Sequence, residues 1–196
     1  MFKCKYFTLM TDLKQKFRNI YIQKRKDLTQ IEIDSKSKQI AKKALEIEEV
    51  NSSRKIAIYI SSNHEVETKQ IIDGLLKFAK DISVPAYSKR KKDFYWSKFS
   101  GWANLEQGPF KIPQPKDPAE SLGIFDIAFV PGLAFSRSGV RLGYGKGIFD
   151  KLLLGTGALK IGLAYDFQVV DELPEEQHDL RMDIIITEER VLRIEN

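Results

Sequence analysis

Cysteine and histidine are almost missing from this chain, which has one Cys (Cys4) and two His (His64 and His178) in 196 residues. A single thiol excludes an internal disulfide framework and any multi-cysteine zinc site. The two histidines stand too far apart in sequence for a local metal motif, so a metal here would be held by oxygen. No apolar run approaches the roughly 20 residues that cross a bilayer, and a membrane partner is not expected. Residues Met1 to Met10 lack a long apolar stretch and a cleavage-like ending. They are also basic, with no acid before Asp12, which leaves a mitochondrial address open beside the expected cytoplasmic location. There is no tandem repeat and no second basic-aromatic module, so nothing extends a nucleic-acid track.

What is present suits one compact domain over residues 1–196, with 42% hydrophobic content, outside the disordered range. A monomer is the default expectation. Lys and Arg total 32 against 27 Asp and Glu, a formal charge of +5. That balance fits an acidic small substrate, a nucleic acid or solubility alone.

From Asp12 to about Lys26, Leu13, Phe17, Ile20 and Tyr21 fall on one helical stripe, and the other faces are cationic. Lys14 and Arg18 are four apart and share a face, as do Tyr21 and Arg25, so the helix presents two cations together, to a phosphate or simply to solvent. A second helix is expected from about Ile31 to Glu49, with a break at Asn51 to Ser53. Lys55–Ser61 reads as a buried strand, Ser62–Glu67 as its connection, Thr68–Ala79 as helix and Ile82–Pro85 as the next strand. Strand, helix, strand is the grammar of α/β proteins. The expected architecture is a three-layer α/β/α domain with a mostly parallel central sheet of five or more strands and a basic N-terminal helix.

Tyr87 to Phe99 is cationic and aromatic. Tyr95, Trp96 and Phe99 are candidates to stack on a flat heterocycle while Lys89 to Lys92 attract anions; the alternative is aromatic packing beneath a solvated lysine loop. The next stretch, Gly108 to Pro118, holds four prolines in eleven residues and is expected to form a rigid wall. Phe125–Val130, Lys160–Ala164 and Asp183–Thr187 complete the strands.

The most informative segment is Val130 to Lys151, VPGLAFSRSGVRLGYGKGIFDK, where five glycines, two arginines, two lysines and an aspartate interrupt core sequence. Such a loop brings backbone N–H groups and cations to a polyanion, and phosphate is the first ligand to consider; tight turns alone are the other reading. It follows a strand, where ligands gather in open α/β sheets. It matches neither GxxxxGK[ST] nor GxGxxG after a first strand. Arg137, Arg141 and Lys146 supply charge, Gly143, Gly145 and Gly147 supply backbone, and Asp150 stands one helical turn beyond Lys146, placed to hold magnesium or to cap local donors.

GYGKGIFD at Gly143 to Asp150, HEVET at His64 to Thr68, KIPQP at Lys111 to Pro115, VPGLAF at Val130 to Phe135 and MDIIITE at Met182 to Glu188 together resemble the 5-formyltetrahydrofolate cyclo-ligase (methenyltetrahydrofolate synthetase) family, over Lys14 to Glu188. The resemblance implies ATP- and magnesium-dependent conversion of 5-formyltetrahydrofolate, with or without a polyglutamate tail, to 5,10-methenyltetrahydrofolate. It implies a nucleotide site at Lys14, Arg18, Arg141, Gly143, Tyr144, Gly145, Lys146 and Gly147, and catalytic roles for Glu65, Arg141 and Lys146. Glu65 and Tyr144 would meet the folate, Asp150 would hold magnesium, and Tyr95, Trp96 and Phe99 are added as pteridine contacts on ring chemistry alone. Two positions depart from the family pattern. Ser136 stands where aspartate is usual, and Phe149 where tyrosine is common. Two rival readings are a weakened nucleotide- or folate-binding protein of the same fold, and an RNA-binding module built on Lys89 to Lys92.

Overall fold

The computed structural model describes residues 2–62, 64–109, 112–176 and 179–195, with the side chains of the first helix from Met10 onward. Cys4 as a side chain, Lys111 of KIPQP and His178 lie outside these. Helix α1 spans Phe2–Lys26, starting before the expected Asp12. No Gly or Pro interrupts it, so helix propagation meets no barrier. Helix α2 (Gln30–Glu46) opens on a capping box in which the Thr29 hydroxyl accepts from Glu32 N–H and the Glu32 carboxylate accepts from Thr29 N–H. It stops earlier than expected because Ile47 turns extended, and a short helix α3 (Glu48–Ser52) occupies part of the expected break.

Strand β1 (Lys55–Ala57), helix α4 (Lys69–Lys77) and strand β2 (Asp81–Ser88) form the first strand–helix–strand unit. β2 runs past Pro85 into strand β3 (Asp93–Lys98), an antiparallel hairpin rather than a loop. The β1 ladder stops opposite Ser83, so Pro85 lies beyond it and its missing N–H removes no bond to β1. Strands β4 (Leu105–Gln107) and β5 (Pro113–Pro115) pair as a small ribbon. Strand β6 (Ile127–Pro131) leads to β7 (Ala134–Ser136), β8 (Arg141–Leu142) and helix α5 (Ile148–Leu152). Strands β9 (Leu159–Leu163), β10 (Val169–Val170), β11 (Ile184–Ile186) and β12 (Val191–Arg193) follow.

The main sheet has the order β12-β11-β9-β6-β1-β2-β3. Its five inner strands are parallel, and β12 and β3 join antiparallel at the edges. One face is covered by α2 and α4, where Ile40, Ala44, Ile71, Ile72 and Leu75 pack on Ile56, Ile58, Ile127 and Phe129. Each fully buried Ile or Leu contributes about 1.5–3 kcal/mol. The other face is covered by Trp96, Phe125, Phe135, Leu153 and Met182, with Phe149 and Leu152 of α5 packed on them. This is the expected three-layer α/β/α architecture.

Counted along the five parallel strands the order is 2-1-3-4-5, with the reversal between β1 and β6. At such a switch point the two neighbouring connections leave in opposite directions and open a crevice beyond the strand C-termini. Helix α1 lies across that end, packing Phe17, Tyr21 and Ile22 on Leu133, Val140 and Leu142. Its inward side is not the stripe expected from the apolar residues. Among its described side chains Lys14, Tyr21 and Arg25 are buried, while Ile20 is exposed. Spaced 4, 3 and 4, Lys14, Arg18, Tyr21 and Arg25 form one seam that turns cations toward the crevice.

Candidate active site

A cavity of about 390 Å³ fills the crevice. Part of its lining is cationic and glycine-rich: Lys14, Arg18, Arg141, Gly143, Gly145, Lys146 and Gly147, with Asp150. The rest includes apolar and aromatic groups, among them Ile60, Pro85, Phe94 and Ile112, together with Glu65 and Tyr144. The structure thus brings together Glu65 with Lys14, Arg18, Arg141, Tyr144, Lys146, Asp150 and the three loop glycines, but not Arg137, which is exposed and donates to Asp171 Oδ1 at 2.9 Å.

Arg141 sits on β8 with its side chain buried. Its Nη1 donates to the Pro131 carbonyl at 3.1 Å and its Nη2 to Asp150 Oδ1 at 2.7 Å. Burial alone would raise the Asp150 carboxyl, but the guanidinium outweighs it and holds the group below the ordinary aspartate value. The loop between them is shaped by glycine. A Cβ on Gly143 would stand 2.7 Å from Arg141 Nη1. Gly145 has φ +87°, and a Cβ there would meet the Arg18 guanidinium at 3.2 Å. Arg18 Nε donates to the Gly143 carbonyl at 3.1 Å, tying α1 to the loop.

Lys14 is buried and ion-paired: Nζ donates to Glu176 Oε2 at 2.6 Å and to Asp179 Oδ2 at 2.7 Å. A buried ammonium needs such partners, and both carboxylates also line the cavity.

Glu65 is held through its backbone. Arg25 Nε donates to the His64 carbonyl at 3.1 Å, Tyr165 hydroxyl to the Glu65 carbonyl at 3.0 Å and Tyr59 hydroxyl to the Val66 carbonyl at 3.0 Å. Three consecutive carbonyls are therefore pinned by donors from three different parts of the fold. The carboxylate accepts from Ser62 N–H at 2.9 Å, and the neighbouring Tyr144 phenol favours its ionised form. Burial raises its carboxyl above the ordinary glutamate value, against the opposing pull of Arg25. Burial also raises the Tyr144 phenol, helped by the Glu65 charge, and pushes Tyr165 up to about 12.

Three expected ring contacts are not at the cavity. Trp96 is buried beneath it, its Nε1 donating to the Leu152 carbonyl at 2.9 Å and its ring edge-on to Phe125. Tyr95 lies on the opposite face of β3 under Lys91 Nζ, and Phe99 packs edge-on to Trp102. Phe94, one strand repeat before Trp96, is the aromatic of this segment that lines the cavity. Sequence reasoning assigned no site role to Tyr59, Ile112, Glu176 or Asp179, and named Arg25 only as sharing a helix face with Tyr21. Arg25 carried a signal in the 14-18-21-25 seam and Ile112 in KIPQP.

Ser136 belongs to a turn. Its buried hydroxyl accepts from Val140 N–H at 3.0 Å and bonds the Ser138 hydroxyl at 2.8 Å, so it organises the β7–β8 hairpin. Phe149 keeps the ring of the usual tyrosine, lining the cavity and packing 6.2 Å from Trp96. Among the described residues no group of three or more His, Cys, Asp or Glu side chains is disposed to hold a metal, and no helix is long and apolar enough to cross a membrane.

Fold and cavity define an α/β protein with a cation-lined crevice at its switch point, where a buried acid and apolar side chains share the lining. The 5-formyltetrahydrofolate cyclo-ligase family profile matches residues 10–188, and the chain belongs to that family. The chain is 28% identical to the mouse 5-formyltetrahydrofolate cyclo-ligase over 195 residues, 92% of each chain. It is 29% identical to the Haemophilus influenzae protein of the same name, covering 90% of this chain and 98% of that one. The solved structure of Aquifex aeolicus 5,10-methenyltetrahydrofolate synthetase superposes with a TM-score of 0.83 at 31% identity, over 94% of both chains. Membership brings the general folate and ATP chemistry of a ring-forming ligase.

Proposed function

We propose that the chain, acting as one domain, converts 5-formyltetrahydrofolate to 5,10-methenyltetrahydrofolate with ATP and magnesium, releasing ADP and phosphate. The observation that carries this reading is that one cavity is lined both by the cations and glycines of the loop and helix α1 and by Glu65 with apolar and aromatic side chains. The first suits a polyphosphate and the second a pteridine carrying the formyl group.

In this reading the formyl oxygen attacks the γ-phosphorus of ATP, giving an N5-iminium phosphate and ADP. N10 then adds to the activated carbon, and loss of phosphate and the N10 proton leaves the methenyl bridge. Arg141 is fixed by Pro131 and Asp150, so it follows the developing oxygen charge at little reorganisation cost, with Lys146 and Arg18 beside it. Glu65 orients the N5-formyl group, and the pinned 64–66 backbone limits its motion. N10 needs proximity more than a strong base.

Asp150 fits a magnesium ion in the sparse way that ion favours, one carboxylate completed by substrate phosphates and water. When bound, magnesium would supply charge neutralisation between the transferred and leaving phosphates. Tyr95, Trp96 and Phe99 have no part in this reading, and Phe94 and Ile112 take the ring.

The test is the ultraviolet absorbance of methenyl product when purified protein receives 5-formyltetrahydrofolate, magnesium and ATP, with parallel reactions lacking ATP or carrying Lys146→Ala. ATP-dependent formation that collapses in the variant is the expected result. A flat trace from folded protein that still binds both ligands saturably would replace this reading with that of a binding protein of the same fold.

A further inference from the structure

Among the described side chains of helix α1, Arg25 is the most deeply buried cation, at 2% exposure, and it is not part of the cavity lining. It nevertheless reaches the Glu65 end of the site by two routes. Nε donates to the carbonyl of His64 at 3.1 Å, and His64 holds a left-handed backbone with φ 58°. A non-glycine residue stays in that region only where its surroundings determine it, and Arg25 supplies one of the bonds that do so. The guanidinium also stands 5.6 Å from the Tyr144 ring centroid, and its charge acts on both the Tyr144 phenol and the Glu65 carboxylate. One planar fork thereby joins helix α1, the 64–66 turn and the glycine loop, a task that an ammonium point charge performs poorly.

We propose that Arg25 is a positioning residue for the formyl-folate half of the site, holding the His64–Glu65 turn and the Tyr144 phenol in register so that Glu65 meets the N5-formyl group. The proposal rests on the reading of the cavity as a formyl-folate and ATP site. Arg25 acts through Glu65 and Tyr144, whereas Lys14, Arg18, Arg141 and Lys146 serve the phosphates. Among the described residues, the titratable and charged groups that face the Glu65 carboxylate are Arg25 from α1, Tyr144 from the glycine loop and Tyr59 from the segment after β1, with Ser62 supplying neutral donors. Of these only Arg25 opposes the effect of burial with a full positive charge.

The experiment compares wild type, Arg25→Met and Arg25→Lys, with the fold checked by circular dichroism. It measures kcat, KM for each substrate and the pH profile of kcat/KM. Arg25→Met is expected to lower kcat/KM for 5-formyltetrahydrofolate roughly ten- to a hundredfold while leaving KM for ATP unchanged. Its acid limb moves to higher pH, because Glu65 loses the cation that favours its ionised form. Arg25→Lys returns the limb toward the wild-type position but restores kcat/KM only in part. Equal losses for both substrates, an unmoved limb, or unfolding of both variants would overturn the positioning role and leave Arg25 a structural residue. A flat wild-type trace fails the reading of the cavity itself and takes this proposal with it, whereas normal wild-type turnover with an unmoved Arg25→Met limb overturns the role of Arg25 alone.

Discussion

Arg141 and Asp150 are joined across the glycine loop, Nη2 to Oδ1 at 2.7 Å, the guanidinium 5% exposed and the carboxylate 29%. The pair connects β8 to α5 and so sets the width of the loop's mouth. Asp150→Ala leaves the guanidinium buried with the Pro131 carbonyl as its remaining described acceptor. Because Asp150 opens to the cavity, the expected loss is about 2 kcal/mol in urea unfolding, below the roughly 3–5 kcal/mol of a fully enclosed pair. The folded Asp150 carboxyl lies below its ordinary value. Its contribution is therefore complete above the unfolded aspartate range and disappears as pH falls through the folded value, below about pH 4. Wild type should lose stability more steeply there than Asp150→Ala; parallel acid arms would show that the pair does not couple to folding.

Glu65 carries the opposite sign. Its folded carboxyl is raised, so the folded state binds more protons than the unfolded one between the two values, and stability falls as pH rises through that window. Glu65→Gln removes the ionisation while keeping an acceptor for Ser62 N–H. Burial outweighs the attraction of Arg25 at this carboxyl. The variant is thus expected to be more stable than wild type at pH 7 and to turn over more slowly, a stability–activity exchange typical of strained sites. Thermal melts at several pH values read the first effect and methenyl formation the second. A Gln variant less stable than wild type at neutral pH would contradict it.

The parallel core and the glycine loop were legible because each carries a local signal: β-branched runs such as Lys55 to Ser61, and a glycine spacing that serves no core. What stayed hidden depended on pairing. The stretch Tyr87 to Phe99 is ambiguous until β3 is placed against β2, since that register sends Phe94 and Trp96 to one face and Tyr95 to the other. The basic helix shows the same limit. Lys14 and Arg25 have the composition of a solvated surface, and they are buried because Glu176, Asp179, Tyr144 and the His64 carbonyl come to them from distant parts of the chain. Glu176 and Asp179 have no motif of their own, so the pairing of Lys14 is invisible without the fold.

That pairing sets up a competition. If Lys14 serves a phosphate during turnover, Glu176 and Asp179 contend with the nucleotide for the same ammonium. Glu176→Gln weakens one contender and is expected to lower KM for ATP, while Lys14→Met raises it. Both leave KM for 5-formyltetrahydrofolate unchanged. A Glu176→Gln variant with raised KM for ATP would mean that the carboxylate helps to bind the nucleotide, through a metal or a ribose, rather than opposing it.

Trp96 and Phe94 separate core packing from ligand contact on a single strand face. Trp96→Phe keeps a ring against Phe125 and removes the Nε1 bond, leaving the Leu152 carbonyl without that donor. A loss of about 1 kcal/mol of stability is expected, with KM for 5-formyltetrahydrofolate unchanged. Phe94 is half-buried and borders the cavity beside Pro85 and Ile112, so truncation removes apolar wall rather than core. Phe94→Ala is expected to raise KM for the folate about tenfold while moving stability by less than the tryptophan change does. The comparison is sharp because the two residues share a strand, a face and an aromatic character. If Trp96→Phe raised the folate KM and Phe94→Ala did not, the ring would lie deeper than the cavity extends, and α5, whose Leu152 carbonyl takes the Trp96 bond, would have to move to admit it.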